Sequence, residues 1–179
     1  MRLFIAALLP EEIRLSVGEY IDGLKPNVDG VKWEKYNKLH VTLKFLGETG
    51  DSTAAQVSDK LENLCKKYSP FHMNITRFGG FPNLEKPRVL FVGLSPNEGL
   101  SSLKSDIESE LETLGFKMEN RRFVPHITVG RVKNRFVIKS PIAIAEKTAF
   151  EISEIGLIKS ELNNKGSVYT PLKMFHLTD

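Results

Sequence analysis

The chain has 179 residues, a net charge of +3 and hydrophobic residues at 41% of its positions. A chain of this length can bury roughly 70% of its unfolded surface, so it can form a core without disulfides or structural metals. Its single cysteine, Cys65, excludes an intramolecular disulfide and a multi-cysteine zinc site and is typical of a reducing compartment, which predicts a cytoplasmic protein. Apolar runs stay well short of the roughly 18 residues of a transmembrane helix, so we expect a soluble protein with no membrane partner.

The N-terminal apolar run is expected to form a buried strand at 2–9. It could imitate a signal peptide, but Pro10, Glu11 and Glu12 follow it without a small-residue cleavage site. A helix is then expected from about Pro10 to Lys25, because apolar residues recur on one stripe: Ile13, Val17, Tyr20, Ile21 and Leu24.

A strand with an unusual polar face follows, "LHVTLKFLG" at 39–47. Simple alternation puts Leu39, Val41, Leu43 and Phe45 on one face and His40, Thr42 and Lys44 on the other. A histidine, a threonine and a lysine on one face of an apolar strand indicate a site.

The rest of the chain alternates helices with short strands. We expect a helix from Asp51, as N-cap, to about Tyr68, strands near 71–78 and 88–94, and a helix from about Asn97 that ends at Gly115. The strand "PHITVGRVK" at 125–133 repeats the His-x-Thr pattern with His126 and Thr128. Strands near 149–161 and 167–175 flank a hairpin turn at "NNKG".

This order of elements predicts an α+β fold. Strands that alternate apolar with polar residues favour mainly antiparallel sheets with helices packed against them. The 86 residues between His40 and His126 are nearly half of the chain. We therefore predict one domain over 1–179, made of two pseudo-symmetric lobes, with the two His-x-Thr strands lining a groove between them.

Three of the four histidines are followed by threonine at the second position, at His40, His126 and His176. With nine threonines among 179 residues, chance would give such a match at about 5% of histidines. His176 lies three residues from the end of the chain, where chains fray, and is set aside. His72, within "FHMNITRF", is interpreted as a surface or core-edge histidine.

Two facing histidines permit acid and base catalysis in one site, because a neutral ring accepts a proton and a charged ring donates one. Threonine hydroxyls two residues on can donate to phosphate oxygens, as phosphodiester cleavage requires. The sequence has no Gly-x4-Gly-Lys loop, no His-Glu-x-x-His helix and no His-Asp dipeptide, and "GLSPNEG" lacks the last glycine of a nucleophile elbow. A mechanism without metal is favoured.

The charge distribution favours an anionic substrate. Basic residues without any acid run through Arg121–Lys139: Arg121, Arg122, Arg131, Lys133, Arg135 and Lys139. Such a run favours an anionic substrate. Phe45, Phe78, Phe81 and Tyr169 could stack on a base, although core or turn packing is the favoured interpretation of each.

The motifs "HVTL" and "HITV", with "RLFIAALLPEEIR", "FGGFPNLEKPRVLFVGL" and "SELNNKGSVYTPLKMF", resemble the 2H phosphoesterase superfamily. The resemblance is to its bacterial and archaeal RNA 2′,3′-cyclic phosphodiesterases, once called 2′-5′ RNA ligases, and spans almost the whole chain. It implies a bilobal fold, no cofactor, no obligate protein partner, and hydrolysis of RNA 2′,3′-cyclic phosphate ends, those of tRNA fragments among them, to 2′-phosphomonoesters.

The resemblance also implies roles for five residues. His40 would donate a proton to the departing 3′ oxygen, and His126 would be the base that activates water. Thr42 and Thr128 would hold the phosphate, and Arg131 would neutralise it. Counting by twos puts Arg131 on the strand face opposite to His126, so its role requires either a bulge or the end of the strand at Gly130.

Two alternatives stay open at this stage. The same acid and base could join RNA ends through a 2′-5′ linkage. The second alternative is a non-catalytic RNA-binding module. It is suggested by "LFVGL" at 90–94, which loosely resembles the second ribonucleoprotein motif of RNA-recognition domains. The partner motif expected roughly 30 residues later is absent, since that position reads "RRFVPHITV".

Overall fold

A computed structural model of the chain describes residues 1–142, 148–164 and 166–178. The elements of these residues, in chain order, are β1 (Arg2–Leu8), α1 (Glu11–Leu24), β2 (Val28–Trp33), β3 (His40–Glu48), α2 (Asp51–Cys65), β4 (Phe71–Phe81), β5 (Val89–Leu94), α3 (Glu98–Glu112), β6 (His126–Ile138), β7 (Ala149–Ile152), β8 (Glu154–Asn163) and β9 (Gly166–His176). No helix in the described ranges is both long enough and apolar enough to cross a membrane.

The strands form two antiparallel sheets, one of four strands in the order β3-β1-β8-β9 and one of five in the order β2-β6-β5-β4-β7. The chain passes back and forth between them, because β1, β3, β8 and β9 lie in one sheet and the strands between them lie in the other. Helix α3 contacts β3 and α2 contacts β9, so both helices lie against the four-stranded sheet. The predicted α+β class with antiparallel sheets is confirmed; the duplication of the lobes stays a prediction.

The helices bury the stripes that the sequence predicts. Helix α1 buries Ile13, Val17, Ile21 and Leu24. Asn97 caps α3, where its side-chain oxygen accepts from the Leu100 amide at 2.9 Å, and Gly115 follows the helix with φ of +87°. The predicted cap of α2 is wrong by one residue: Gly50 is the N-cap, and Asp51 stands in the first turn, where a carboxylate favours the helix dipole.

Two strand predictions need correction. Strand β2 was not predicted, because "VDGVKW" has no clean alternation and forms by pairing with β6, about 100 residues later. Gly30 within it has φ of +81° and lies against the Arg135 carbonyl, where a side chain would collide. The predicted strand at 149–161 is two strands, β7 and β8, which belong to different sheets. The predicted hairpin joins β8 to β9, which pair out to Asn163 and Gly166; Lys165 of its turn lies outside the described residues.

Both His-x-Thr strands contain a β-bulge directly after the motif. In β3, Thr42 faces Ala6 and Lys44 faces Ile5, which leaves Leu43 as the extra residue. The predicted face of His40, Thr42 and Lys44 is therefore wrong beyond Thr42: Lys44 is only 2% exposed, whereas Phe45, predicted to be buried, is 61% exposed.

Strand β6 has the matching bulge. There Thr128 faces Phe91 and Gly130 faces Leu90, and Val129 is the extra residue. Val129 and Gly130 are both buried, and Arg131 is exposed. One extra residue reverses the alternation, so Arg131 returns by parity to the face of His126.

Candidate active site

His40 is the first residue of β3 and is held by hydrogen bonds at both ring nitrogens. Its Nδ1 lies 2.7 Å from the Lys38 carbonyl oxygen, and its Nε2 lies 3.0 Å from the Thr42 hydroxyl. Because a carbonyl only accepts, Nδ1 carries a proton and donates it. Phe4 and Tyr169 hold the ring from two sides, with centroids 5.0 and 5.6 Å away. The nitrogen left for chemistry is Nε2.

His126 is the first residue of β6 and repeats this arrangement. Its Nδ1 lies 2.7 Å from the carbonyl oxygen of Val124, which is again two residues earlier. Phe81 and Phe91 hold the ring, with centroids 4.9 and 5.5 Å away. Here too Nδ1 donates to the backbone, and Nε2 remains available for proton transfer.

The two histidines are electrostatically coupled. Burial lowers the pKa of both rings below the ordinary value of 6.5, and the charge of His126 lowers the pKa of His40 further. The strands that carry them, β3 and β6, contact each other. Both are therefore mainly neutral at pH 7 in the free protein, and a bound anion would favour their charged forms.

The other predicted site residues lie near this pair. Thr42 and Thr128 are half-buried, each two residues after its histidine. Burial and the charge of Glu34 raise the pKa of Tyr169, while the charge of Arg131 opposes the rise. Arg131 follows Thr128 on β6, so all five predicted residues lie on two strands that contact each other, and their assembly into one site stays a prediction.

The predicted aromatic residues have different surroundings. Exposed Phe45 lies beside Phe4, with centroids 6.1 Å apart, and Phe81 stacks on Phe91 at 4.4 Å. Phe78 is buried and packs on Tyr20, so it is a core residue. Sequence analysis missed Phe4 and Phe91, because their positions depend on strand register. It also missed the carbonyls of Lys38 and Val124, which leave no signal in residue type.

The remaining histidines lie elsewhere. His176 ends β9, 71% of its side chain is exposed, and its Nδ1 is 3.2 Å from Glu154. It stands seven residues from Tyr169 along the strand, or about 23 Å. The frayed segment expected after His176 is wrong for Leu177 and Thr178, whose amides donate to the carbonyls of Ser153 and Tyr68. His72 is 87% exposed beside Glu151.

Two other classes of site find no support in the residues that the structure describes. Within the described ranges, no group of three or more histidine, cysteine, aspartate or glutamate residues is placed to hold a metal ion. The segment 90–94 lies within β5, and its Phe91 is only 1% exposed. A ribonucleoprotein motif presents its aromatic residues to RNA, so this segment does not serve as one.

Comparison with known proteins identifies the family. A sequence model described as the 2′-5′ RNA ligase superfamily matches residues 13–164. The chain belongs to this superfamily. The resemblance inferred from the two motifs is thereby confirmed.

Similar proteins span the full length of the chain. A protein of Methanothermobacter thermautotrophicus, named RNA 2′,3′-cyclic phosphodiesterase, is 34% identical, and the match covers 99% of each chain. A protein of Aquifex aeolicus with the same name is 31% identical, with 90% and 92% covered. A crystal structure from Thermus thermophilus matches with a TM-score of 0.88 at 32% identity, covering 99% of this chain and 98% of that one. E. coli LigT complexed with 3′-AMP matches with a TM-score of 0.82 at 28% identity and the same coverage.

Proposed function

We propose that this protein hydrolyses the 2′,3′-cyclic phosphate ends of RNA to 2′-phosphomonoesters, using two histidines and no metal ion. The observation that carries the proposal is the pair His40 and His126, each at the start of a strand and each with Nδ1 bound to a backbone carbonyl, which leaves Nε2 for the groove. The names of the full-length relatives support the same reaction.

In the proposed reaction His126 acts as base and His40 as acid. Nε2 of neutral His126 takes a proton from water as the water oxygen bonds to phosphorus. The bond from phosphorus to the 3′ oxygen breaks, and that oxygen takes the proton from Nε2 of charged His40. The product keeps the phosphate on the 2′ oxygen, and each histidine returns to its first state by exchanging one proton with solvent.

The lowered pKa values suit both roles. A neutral His126 is ready to accept a proton at pH 7. The negative charge of a bound cyclic phosphate would raise the pKa of His40, so that substrate binding itself charges the acid. Thr42 and Thr128 would donate to the non-bridging oxygens, and Arg131 would place a positive charge beside them.

The cellular substrate is proposed to be cleaved RNA, with tRNA fragments as one source of cyclic ends, and the reaction is expected to occur in the cytoplasm without a protein partner. Purified tRNA fragments that carry cyclic ends should lose them on incubation with this protein alone.

The decisive experiment uses adenosine 2′,3′-cyclic phosphate and a short RNA with a cyclic end, both in EDTA. We expect the 2′-phosphate as product, identified by chromatography against the 2′ and 3′ isomers. A pure 3′-phosphate would reverse the choice of leaving oxygen, and no turnover of either substrate would overturn the proposal.

A second candidate is RNA joining, since the matching family is described as the 2′-5′ RNA ligase superfamily. A 5′-hydroxyl RNA would replace water as the attacking group, and the same two histidines would move the protons. Addition of a 5′-hydroxyl oligonucleotide to the cyclic-end assay measures the ratio of joined to hydrolysed product.

A further inference from the structure

A cavity of about 510 Å³ lies outside the groove, between α3 and residues 118–125, the segment that leads into β6. The proposed chemistry does not use it. Its walls include buried charged side chains of α3 and two arginines of the basic run, Arg121 and Arg122.

The floor of the cavity is a closed network of charges. Glu108 of α3 is buried and accepts hydrogen bonds from Lys44, from Lys104 and, at 3.2 Å, from the Glu119 amide. Burial would raise the pKa of Glu108, but the two lysines hold it below its usual value. Lys104 is also 3.5 Å from the Glu119 carboxylate. The two carboxylates are therefore already engaged by the lysines.

The mouth of the cavity carries positive charge that is not neutralised. Arg121 and Arg122 are exposed, and neither forms an ion pair with a carboxylate in the described part of the chain. With Lys44 and Lys104 they make four cations around two carboxylates. Guanidinium groups bind phosphate through paired hydrogen bonds. The two arginines at the mouth of the cavity can therefore bind an anion such as a phosphate.

The cavity adjoins the catalytic groove. Its wall includes Val124, whose carbonyl accepts from His126 Nδ1, and Pro125, whose carbonyl accepts from the Leu94 amide at 3.0 Å. Arg122 is four residues from His126, a span of at most about 14 Å of chain. A strand whose end reacts at His126 would reach this mouth within one or two nucleotides.

We propose that the mouth of this cavity binds a backbone phosphate of the substrate RNA, on the 5′ side of the cyclic end. The inference rests on the proposed function. The charge lies on exposed arginines, while the buried lysines are paired with carboxylates, and this distribution fits a chain that passes over the mouth better than a small anion enclosed within it.

The test compares a mononucleotide with a longer substrate. Adenosine 2′,3′-cyclic phosphate has no upstream phosphate, whereas a five-nucleotide RNA with a cyclic end has four. In the double variant Arg121→Gln/Arg122→Gln we expect KM for the pentamer to rise about 10-fold at unchanged kcat, and kcat/KM for the mononucleotide to stay within two-fold of the parent. The slope of log KM against log salt for the pentamer should fall by about 0.7 for each phosphate that the variant no longer binds.

The control variant Lys66→Gln/Lys67→Gln removes the same net charge from the exposed end of α2. It should leave both substrates unchanged; an equal rise of the pentamer KM would reduce the effect to net charge and overturn the site. Equal losses for both substrates would also overturn it, because the arginines would then act on the reaction centre.

Three further outcomes separate this inference from its alternatives. If added AMP alters turnover of the mononucleotide in the parent but not in the arginine variant, the mouth binds a free anion, and the RNA assignment is wrong. If the parent turns over neither substrate, the proposed function itself fails. Turnover of both substrates with equal KM before and after mutation overturns the inference alone.

Discussion

Replacement of His40 or His126 by alanine tests the assignment of acid and base directly. Each change removes the ring that presents Nε2 to the groove, and the nearest polar side chain at His40, that of Thr42, offers only a hydroxyl in its place. The backbone carbonyls that orient the rings, at 2.7 Å from Nδ1 in both cases, remain where they are.

The expected loss follows from the orientation of these rings. A positioned proton transfer contributes about 10² to 10⁴ in rate, which is about 2.7 to 5.5 kcal/mol of activation free energy. Both rings are clamped by a carbonyl on one edge and by two aromatic rings, so we expect each single variant to lose kcat within that range. Because both act on one displacement, the double variant should fall little below the worse single one.

The assay is single-turnover hydrolysis of adenosine 2′,3′-cyclic phosphate, with circular dichroism and thermal unfolding as checks of the fold. Added imidazole should restore part of the activity of each single variant, which a purely structural loss would not allow. His176→Ala is the matched control, since His176 also begins a His-x-Thr pattern, and should stay within a few-fold of the parent. A loss for His176→Ala as large as that for His40→Ala, with the fold intact, would refute the choice of motifs.

Three further predictions concern pH, metal and stability. The pH profile of kcat/KM should be a bell centred below pH 6.5, because burial lowers the pKa of both histidines: activity rises as His126 loses its proton and falls as His40 loses its own. His126→Ala should lose the acidic limb and His40→Ala the alkaline one; an alkaline limb above pH 8 in the parent would contradict the assignment. EDTA should leave activity unchanged, whereas loss that a divalent ion restores would exclude the metal-free mechanism. Lys44→Met should lower the free energy of unfolding by about 3 kcal/mol, measured in urea. The buried Glu108 carboxylate would then keep only one of its two lysine partners, Lys104. A change under about 1 kcal/mol would show that the Lys44–Glu108 ion pair is not desolvated.

The local signals in the sequence were reliable, and the non-local ones were not. The three helices follow from apolar stripes and from signals such as Asn97 and Gly115, all of which act within a few residues. Strand β2 gives no such signal, since its partner is β6, and the break at Ser153 that sends β7 and β8 to different sheets depends on pairing with distant strands.

The candidate site shows the same division. The His-x-Thr spacing identifies two histidines that begin two strands in contact with each other, β3 and β6. Alternation failed one residue later, at Leu43, where the bulge turns Lys44 into the core to meet Glu108 and turns Phe45 outward. A bulge depends on which residues the neighbouring strand offers, so period-2 counting along one strand cannot detect it.

The two bulges fall at the same offset from the two histidines, but the exposed residue that follows each bulge is different. In each strand the third residue after histidine is the extra one, the fourth is buried and the fifth is exposed. The fifth residue is Phe45 after His40 and Arg131 after His126. The same backbone device therefore leaves a phenylalanine exposed on the strand of one histidine and an arginine exposed on the strand of the other. A cyclic nucleotide end has a matching asymmetry, an apolar base on one side and a charged phosphate on the other.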